Sequence, residues 1–354
     1  MMGLIRPLGL LRGPAAEAAL DEGAALRLAG NLACTRLEVQ ERDDSGDIRT
    51  STPTVRSFFA QLERLGEHER AMWRTRLDHL RSGPAWPEDL PEPPLLMGIV
   101  NVTPDSFHDG GRYDDPGRAV EHGRQLVAEG AAIIDVGGES TRPGAAEVPV
   151  DEEIQRIVPV IRGLAREGIY TSIDTRKAEV MEAAIAAGAR MVNDVTALRH
   201  DPAAAPMLHR CKVPVVLMHM QGEPATMQLA PTYRRASFEV AEFLEARALE
   251  LEAVGIERNR LLLDPGIGFG KSVQHNLDIL RHLDLYGCLG RPVVLGVSRK
   301  SFIGRLSAGE PAAARLPGSL AVNLWGVKQG AQILRVHDVA ETHQALQIWR
   351  SLDA

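Results

Sequence analysis

The chain is poor in aromatic residues, which make up 4% of its 354 residues, and it has only three cysteines. Cys34, Cys211 and Cys288 lie far apart with no C-x-x-C pair, which excludes a dense disulfide framework and suits reduced thiols in a cytosol. It also lacks any basic run or aromatic-basic ladder. With 40 Lys+Arg against 47 Asp+Glu, the net charge is −7, so no nucleic-acid partner is expected. No stretch reaches the ~20 apolar residues of a membrane span. The apolar start MMGLIRPLGLLRG is broken by Arg6, Pro7 and Arg12, which argues against an export signal. A soluble, cytoplasmic protein without a membrane partner is expected.

What is present is a repeated form. Residues 95–111, LLMGIVNVTPDSFHDGG, run from a buried apolar strand into a polar, glycine-ended loop. Seven later segments do likewise, giving strand candidates at 96–100, 132–136, 170–173, 190–192, 213–218, 260–263, 292–296 and 331–336. Helical stretches lie between them, with Asp-Pro starts at Asp115 and Asp201 and an Asp338/Glu341 capping box before the last. From Leu95 to its end the chain has close to the ~250 residues of a (β/α)8 TIM barrel, an α/β fold whose site is built at the carboxyl ends of its strands. A doubly wound sheet is the alternative; the absence of G-x-G-x-x-G after the first strand argues against it.

Residues 1–82 lack this rhythm and read as a small α-rich N-terminal extension. The segment 15–28 is a helix candidate, 35–39 alternates like a strand, and Val55, Phe58, Phe59, Leu62, Leu65, Met72, Trp73, Leu77 and Leu80 form a helical stripe started by Thr52-Pro53. Residues 83–94, GPAWPEDLPEPP, hold five prolines and read as a stiff linker. The third part, 95–354, is the barrel.

The strand ends carry the chemistry. Asn101 ends the first and leads to Thr103, Asp105, Ser106 and Phe107. The second ends in IIDVGGESTRPG, where glycine N–H groups, Thr141 and the Arg142 fork can meet a ligand. The third and fourth give Asp174 with Arg176 and Lys177, and Asn193 with Asp194; Asp194 is as readily a helix cap as a ligand. The sixth, LLLDPGIGFGKS, gives Asp264. Its Gly270-Lys271-Ser272 tail is not a P-loop, because Pro265 removes a cradle N–H.

In extended backbone Lys300 shares a face with Gly296 and Ser298, and Arg335 one with His337. The guanidinium, the imidazole and the helix N-terminus at Asp338 make an anion site suited to phosphate. Two acids and an amide suit a flat heterocycle rich in N–H donors. Glycoside hydrolysis could also use two acids but leaves the cations without a task.

Eight segments in order, MGIVNVTPDSFHDGG, IIDVGGESTRPGA, SIDTRKAEV, VNDV, VVLMHMQGEPATMQ, LLLDPGIGFGK, GVSRKSFIG and LRVHDV, resemble the signatures of the dihydropteroate synthases, folate-pathway enzymes of the pterin-binding barrel family. The resemblance covers essentially all of 95–354. It implies a homodimeric transferase joining 6-hydroxymethyl-7,8-dihydropterin diphosphate to 4-aminobenzoate, with Mg2+ assisting and diphosphate released. It implies that Asp174, Asn193, Asp264 and Lys300 hold the pterin and that Asn101 contacts the metal. Thr141, Arg335 and His337 would surround the diphosphate, with Arg142 nearby. The loops with Phe107 and Pro143, and Ser301, would close around 4-aminobenzoate. Asp174, Lys300, Arg335 and His337 would carry catalysis.

His108 and Arg176 stand where smaller residues are expected in the family, and residues 1–94 have no counterpart in its minimal members. A pterin-binding sensor, a methyl transferase on reduced folate and a Schiff-base aldolase built on Lys300 are the competing readings.

Overall fold

The computed structural model describes residues 2–102, 116–140, 147–222, 227 and 229–353. The extension carries three helices, and with them a four-stranded antiparallel sheet that the helical reading left out. In chain order it comprises β1 (Gly3–Arg12), α1 (Gly13–Asp21), β2 (Leu26–Arg27), β3 (Leu32–Arg42), β4 (Ile48–Ser51), α2 (Val55–Leu62) and α3 (Glu67–Ser82). β3 pairs along one edge with β1 and along the other with β2 and β4. β1 is hard to recognise because GLIRPLGLLR contains two glycines and a proline, which depress strand propensity; its long partner β3 supplies the order.

The candidate helix at 15–28 accordingly divides into α1 and β2. The apolar stripe divides too, burying Val55, Phe58 and Leu62 from α2 and Trp73, Leu77 and Leu80 from α3. The α2 cap is Thr54, whose hydroxyl accepts the Ser57 N–H at 3.2 Å, and not Thr52-Pro53. The carbonyl of Pro53 is engaged by the Leu37 N–H of β3 at 3.0 Å, so the proline belongs to the sheet's margin.

Residues 83–94 connect the two units, and they also seal one. Trp86 and Leu90 pack on Leu95, Met97, Ile133, Met191, Val216, Leu262, Val294 and Ile333, the apolar floor of the barrel. The Trp86 indole N–H donates to the Pro91 carbonyl at 3.1 Å, and Asp89 pairs with Arg190 at 3.0 Å.

The barrel runs β5 (Leu95–Asn101), α4 (Pro116–Ala128), β6 (Ile133–Gly137), α5 (Val150–Ala165), β7 (Thr171–Asp174), α6 (Ala178–Ala187), β8 (Met191–Asp194), α7 (Ala204–Cys211), β9 (Val215–Met218), α8 (Ala236–Ala253), β10 (Leu261–Asp264), α9 (Val273–Arg281), β11 (Val294–Leu295), α10 (Ser301–Leu306), α11 (Leu316–Lys328), β12 (Ile333–Val336) and α12 (Val339–Asp353). The strands are parallel in the order β10-β9-β8-β7-β6-β5-β12-β11, and a bridge from Leu263 to Val293 closes the ring. All eight expected strands are found. The seventh is only two residues long, since the chain turns after Leu295 and Arg299 adopts a φ of +58°.

Because side chains alternate along a strand, one face reads apolar near the floor and polar near the mouth: Ile133 then Asp135, Met191 then Asn193, Leu262 then Asp264, Ile333 then Arg335. Asp201 serves two elements, accepting the Ala203 N–H ahead of α7 at 2.9 Å and the Ala178 N–H of α6 at 2.8 Å.

The extension docks on α8 and on the turn Leu283–Leu289 that follows α9. Buried Arg76 pairs with Glu245 and donates to the Gly3 carbonyl at 3.1 Å. Arg6 joins Glu38 at 2.8 Å and Asp284 at 3.2 Å, and Arg42 joins Glu242 at 2.6 Å. Among the described residues no helix is long and apolar enough to cross a membrane.

Candidate active site

The polar side chains at the strand ends meet at one mouth. Arg335 binds two carboxylates at once, placing Nε 2.6 Å from Asp135 Oδ2 and Nη2 2.8 Å from Asp174 Oδ2. Asp135 is fully buried, and its Oδ2 also accepts from Asn193 Nδ2 at 3.0 Å. One guanidinium therefore ties together β6, β7 and β12, and through Asp135 it orients the Asn193 amide. Asp135 was not singled out from the sequence. Its signal was available as a charged residue inside the apolar run Ile133–Gly137, on the same face as Ile133.

Opposite this cluster, Asp264 accepts the Gly266 N–H at 2.7 Å. A side chain at Gly296 would meet Lys300 Nζ and Arg335 Cβ at 3.8 Å and Asp264 Oδ2 at 3.9 Å, so these groups gather round a bare glycine. Lys300 reaches the mouth from the turn after β11, since the extended face invoked for it ends at Leu295. Its ammonium donates to the Ile267 carbonyl and lies 4.8 Å over the Phe269 ring. Phe269 packs with Val195, Met218, Met220 and Met227, an apolar wall beside the polar groups.

Burial sets the electrostatics. Desolvation pushes Asp174 up to about 7, against the pull of Arg335 and reinforced by Asp135 and Asp194. Asp264 is likewise raised by desolvation, opposed first by Lys300. Lys300 is brought down to about 8 by desolvation, with Asp264 resisting and Arg335 adding to the shift. The mouth thus holds carboxyls that resist ionising beside a lysine that readily gives up its proton.

At the rim, Asn101 is exposed. It stands across Gly137 from Asp174, a side chain there meeting Asn101 Oδ1 and Asp174 Cβ both at 3.6 Å. His337 follows the end of β12, is exposed, and places Nδ1 3.0 Å from Ser298 Oγ. Desolvation, then the charges of Arg335 and Arg299, depress its imidazole to about 4; for an exposed ring the cationic neighbours are the cause that persists in water. Ser301 is exposed as the first residue of α10. Asp338 directs its carboxylate to Arg299, with Nε at 2.9 Å. Arg335 turns its guanidinium to carboxylates and His337 rests on Ser298, while the Arg335 charge still reaches the His337 ring.

Thr141, Arg142, Pro143, Phe107, Thr103, Asp105, Ser106 and His108 lie outside the described residues. Asp194 resolves as a turn former, accepting the N–H groups of Thr196 at 2.7 Å and Leu198 at 2.9 Å. Arg176 pairs with Glu139 at 3.4 Å and Glu147 at 3.3 Å. Ser272 forms a capping box with His275 at the start of α9, consistent with rejecting a P-loop. Among the described residues no group of three or more His, Cys, Asp or Glu is arranged to hold a metal ion.

The family model of pterin binding enzymes matches residues 97–337. A dihydropteroate synthase of Neisseria meningitidis serogroup B is 48% identical over 264 residues, 73% of this chain and 93% of that protein. This chain belongs to the dihydropteroate synthase family. Among solved structures of the family, the Xanthomonas albilineans enzyme with 4-aminobenzoic acid superposes with a TM-score of 0.69 at 49% identity, covering 74% of this chain and 94% of that one. The same enzyme in complex with 7,8-dihydropteroate gives 0.68 at 47% identity, covering 74% and 94%. The family match opens at Met97, so the pterin-binding enzymes account for the barrel and leave the extension and its seal outside.

Proposed function

We propose that this chain condenses 6-hydroxymethyl-7,8-dihydropterin diphosphate with 4-aminobenzoate, releasing diphosphate and 7,8-dihydropteroate. The observation that carries the reading is the convergence of Asp174, Asn193, Asp264, Lys300 and Arg335 on one mouth at the carboxyl ends of the barrel strands. The ligands of the Xanthomonas structures, 4-aminobenzoic acid and 7,8-dihydropteroate, are the second substrate and the product of that reaction.

A pterin presents a flat face and an edge of N–H donors. The edge meets Asp174, Asn193 and Asp264, each able to accept once water is expelled; the face meets Met218 and Phe269. As the C–O bond to the diphosphate lengthens, positive charge grows on the methylene, and the buried carboxylates stabilise it in a medium of low dielectric. Lys300 holds the pterin beside Asp264 and Phe269, and His337 is assigned with Arg335 to the negative charge that leaves. Arg335 contributes to both, since it fixes Asp174 while bringing positive charge to the mouth. The arylamine attacks without a strong base, so no nucleophile triad is required.

On the family resemblance Mg2+ would be held through the exposed Asn101 amide oxygen, with waters and the substrate's phosphates completing its shell. Bound there, it would neutralise charge on the leaving diphosphate. Thr141, Arg142, Phe107, Pro143 and Ser301 are assigned to the diphosphate and aminobenzoate subsites on the family resemblance. A homodimer is proposed on apolar surface left on α11 and α12, where Trp325 is 41%, Ile348 60% and Leu352 81% exposed. A reducing cytoplasm suits three unpaired cysteines.

The test is turnover by the purified protein: diphosphate release should require the pterin substrate, 4-aminobenzoate and Mg2+ together. Tight pterin binding with no turnover would make the chain a sensor. Borohydride should trap no adduct; a trapped adduct on Lys300 would point to aldolase chemistry. A methyl transferase would need no diphosphate subsite, and diphosphate as product inhibitor separates the two.

A further inference from the structure

Lys271 is a lysine that the proposed reaction does not use, yet it is only 3% exposed. Its ammonium has three donors and three acceptors around it: His219 Nδ1 at 2.9 Å, the His219 carbonyl at 3.2 Å and the Phe269 carbonyl at 2.9 Å. His219 directly follows β9, and Lys271 ends the loop that follows β10. The side chain thus crosses between two adjacent strand ends and also returns to its own loop.

The backbones of the two loops lie against each other. A side chain at Gly266 would stand 2.0 Å from the His219 carbonyl oxygen, and one at Gly270 would stand 2.5 Å from that of Gln221; both glycines have positive φ, +65° and +60°. Tyr233 strengthens the junction, its hydroxyl donating to the Gly270 carbonyl at 2.9 Å. Between these contacts the same loop presents the two groups that Lys300 touches, the Ile267 carbonyl and the Phe269 ring. The side chain of Phe269 packs with Met218 and Met220, which flank His219 on the neighbouring strand end.

We propose that Lys271 is a positioning residue for the pterin subsite, clamping the β9 and β10 loops so that Phe269 stands under Lys300 and against Met218. The assignment rests on the reading of the mouth as a pterin site. His219 acts as the acceptor in the clamp, with Nδ1 unprotonated. Burial, with Lys271 and Arg199 adding to it, depresses its imidazole to about 2, so the ring is neutral, and in the tautomer protonated on Nε2 it offers Nδ1 to the Lys271 head at 2.9 Å. Burial pulls the Lys271 ammonium strongly toward its neutral form, and the nearby Asp264 carboxylate opposes that pull, so the contact with Asp264 and the acceptors around it help keep the clamp's donors in place.

The test compares Lys271→Met, His219→Leu and His219→Asn with the wild-type protein, whose own turnover checks the underlying reading separately. Lys271→Met removes all three donors at nearly constant length. It should raise KM for the pterin substrate about tenfold or more, as expected of a small misplacement of binding groups, and leave KM for 4-aminobenzoate within about twofold. His219→Leu removes one acceptor and should show a smaller effect of the same selectivity; His219→Asn, whose amide oxygen can accept in place of Nδ1, should recover most of it. If Lys271→Met does not fold, the His219 pair carries the test. Unchanged pterin KM in folded variants overturns the proposal. So do equal changes in both KM values, no recovery by Asn, or losses that follow only the folded fraction.

Discussion

Arg335 and Asp135 form an ion pair at 2.6 Å in which the carboxylate has no solvent exposure. The guanidinium is 22% exposed and looks into the mouth, so the pair transmits a fixed orientation from the barrel interior to the reacting edge. Buried charges are costly unless paired, and the second contact, to Asp174, completes the arrangement.

Asp135→Ala should therefore cost stability and catalysis together. The expected loss is about 3 kcal/mol, the low end for breaking a buried pair, because Asp174 remains to neutralise Arg335. Urea unfolding and kcat/KM for the pterin substrate measure the two effects; a variant of wild-type stability and activity would remove Asp135 from the site.

The pH profile should be narrow. With Asp174 needed ionised as an acceptor and Lys300 needed protonated, kcat/KM should rise through about 7 and fall through about 8. Arg335→Met should move the acid limb upward by about one unit or more. The stability signs differ. Asp174 titrates higher folded than its unfolded value of ~3.9, so the folded state binds more protons in that window and loses stability as pH rises from ~4 to about 7. Lys300 titrates lower folded than unfolded, so its contribution improves as pH rises from about 8 to ~10.4. Thermal melts across pH 4 to 10, wild type against Asp174→Asn and Lys300→Met, would reveal each slope; a profile flat between ~6 and ~9 would refute the assignment.

Lys300→Met should lower kcat/KM for the pterin substrate by roughly 10²–10³, the effect of deleting one preorganised donor at a reacting centre. Circular dichroism and the KM for 4-aminobenzoate should stay near wild type, since the contacts of the Lys300 head, to the Ile267 carbonyl, the Phe269 ring and the Asp264 charge, all belong to the pterin side of the mouth. An equal rise in both KM values would count against a pterin-specific role.

The extension should matter to folding before it matters to chemistry. Arg76 is 5% exposed and meets Glu245 on α8 and the Gly3 carbonyl. Arg76→Ala should cost roughly 3–5 kcal/mol, as for a buried pair that loses one partner, with both KM values unchanged in the folded fraction. Deleting residues 1–82 should expose the Leu283–Leu289 turn and promote aggregation, visible by light scattering. A well-folded truncated protein with a selective loss of catalysis would instead give the extension a role at the mouth.

The barrel was legible because its strands are apolar runs ended by polar residues; Asp174, Asn193, Asp264 and Arg335 stand at such ends and could be read one by one. Asp135 was hidden because it sits two residues deeper in its strand than the level of Asp174 and Asn193, where the pattern predicts a packing side chain. The partners of Arg335 could not be read either: spacing gives a side, but only closure of the ring brings β12 within reach of β6 and β7. The extension's sheet was obscured by Pro7, Gly3 and Gly9, whose cost is met by pairing with β3 far along the chain. The close approach of Gly266 and Gly270 to the His219 and Gln221 carbonyls could not be read from the sequence, because it depends on which loop lies beside them in the closed ring.

The segment between extension and barrel, with Trp86 and Leu90 set into the apolar floor, changes what can be done to this chain. A protease nick or a fusion joint placed within 83–94 would admit water beneath the strands, so a cut there should unfold the catalytic half as well as release the appendage. The hairpin tip between β3 and β4 is tied to the barrel by Arg234, which meets the Gly46 carbonyl at 2.9 Å and Asp47 at 3.0 Å, so the exposed Asp44 and Ser45 at its crest are the better place to attach a tag or reporter.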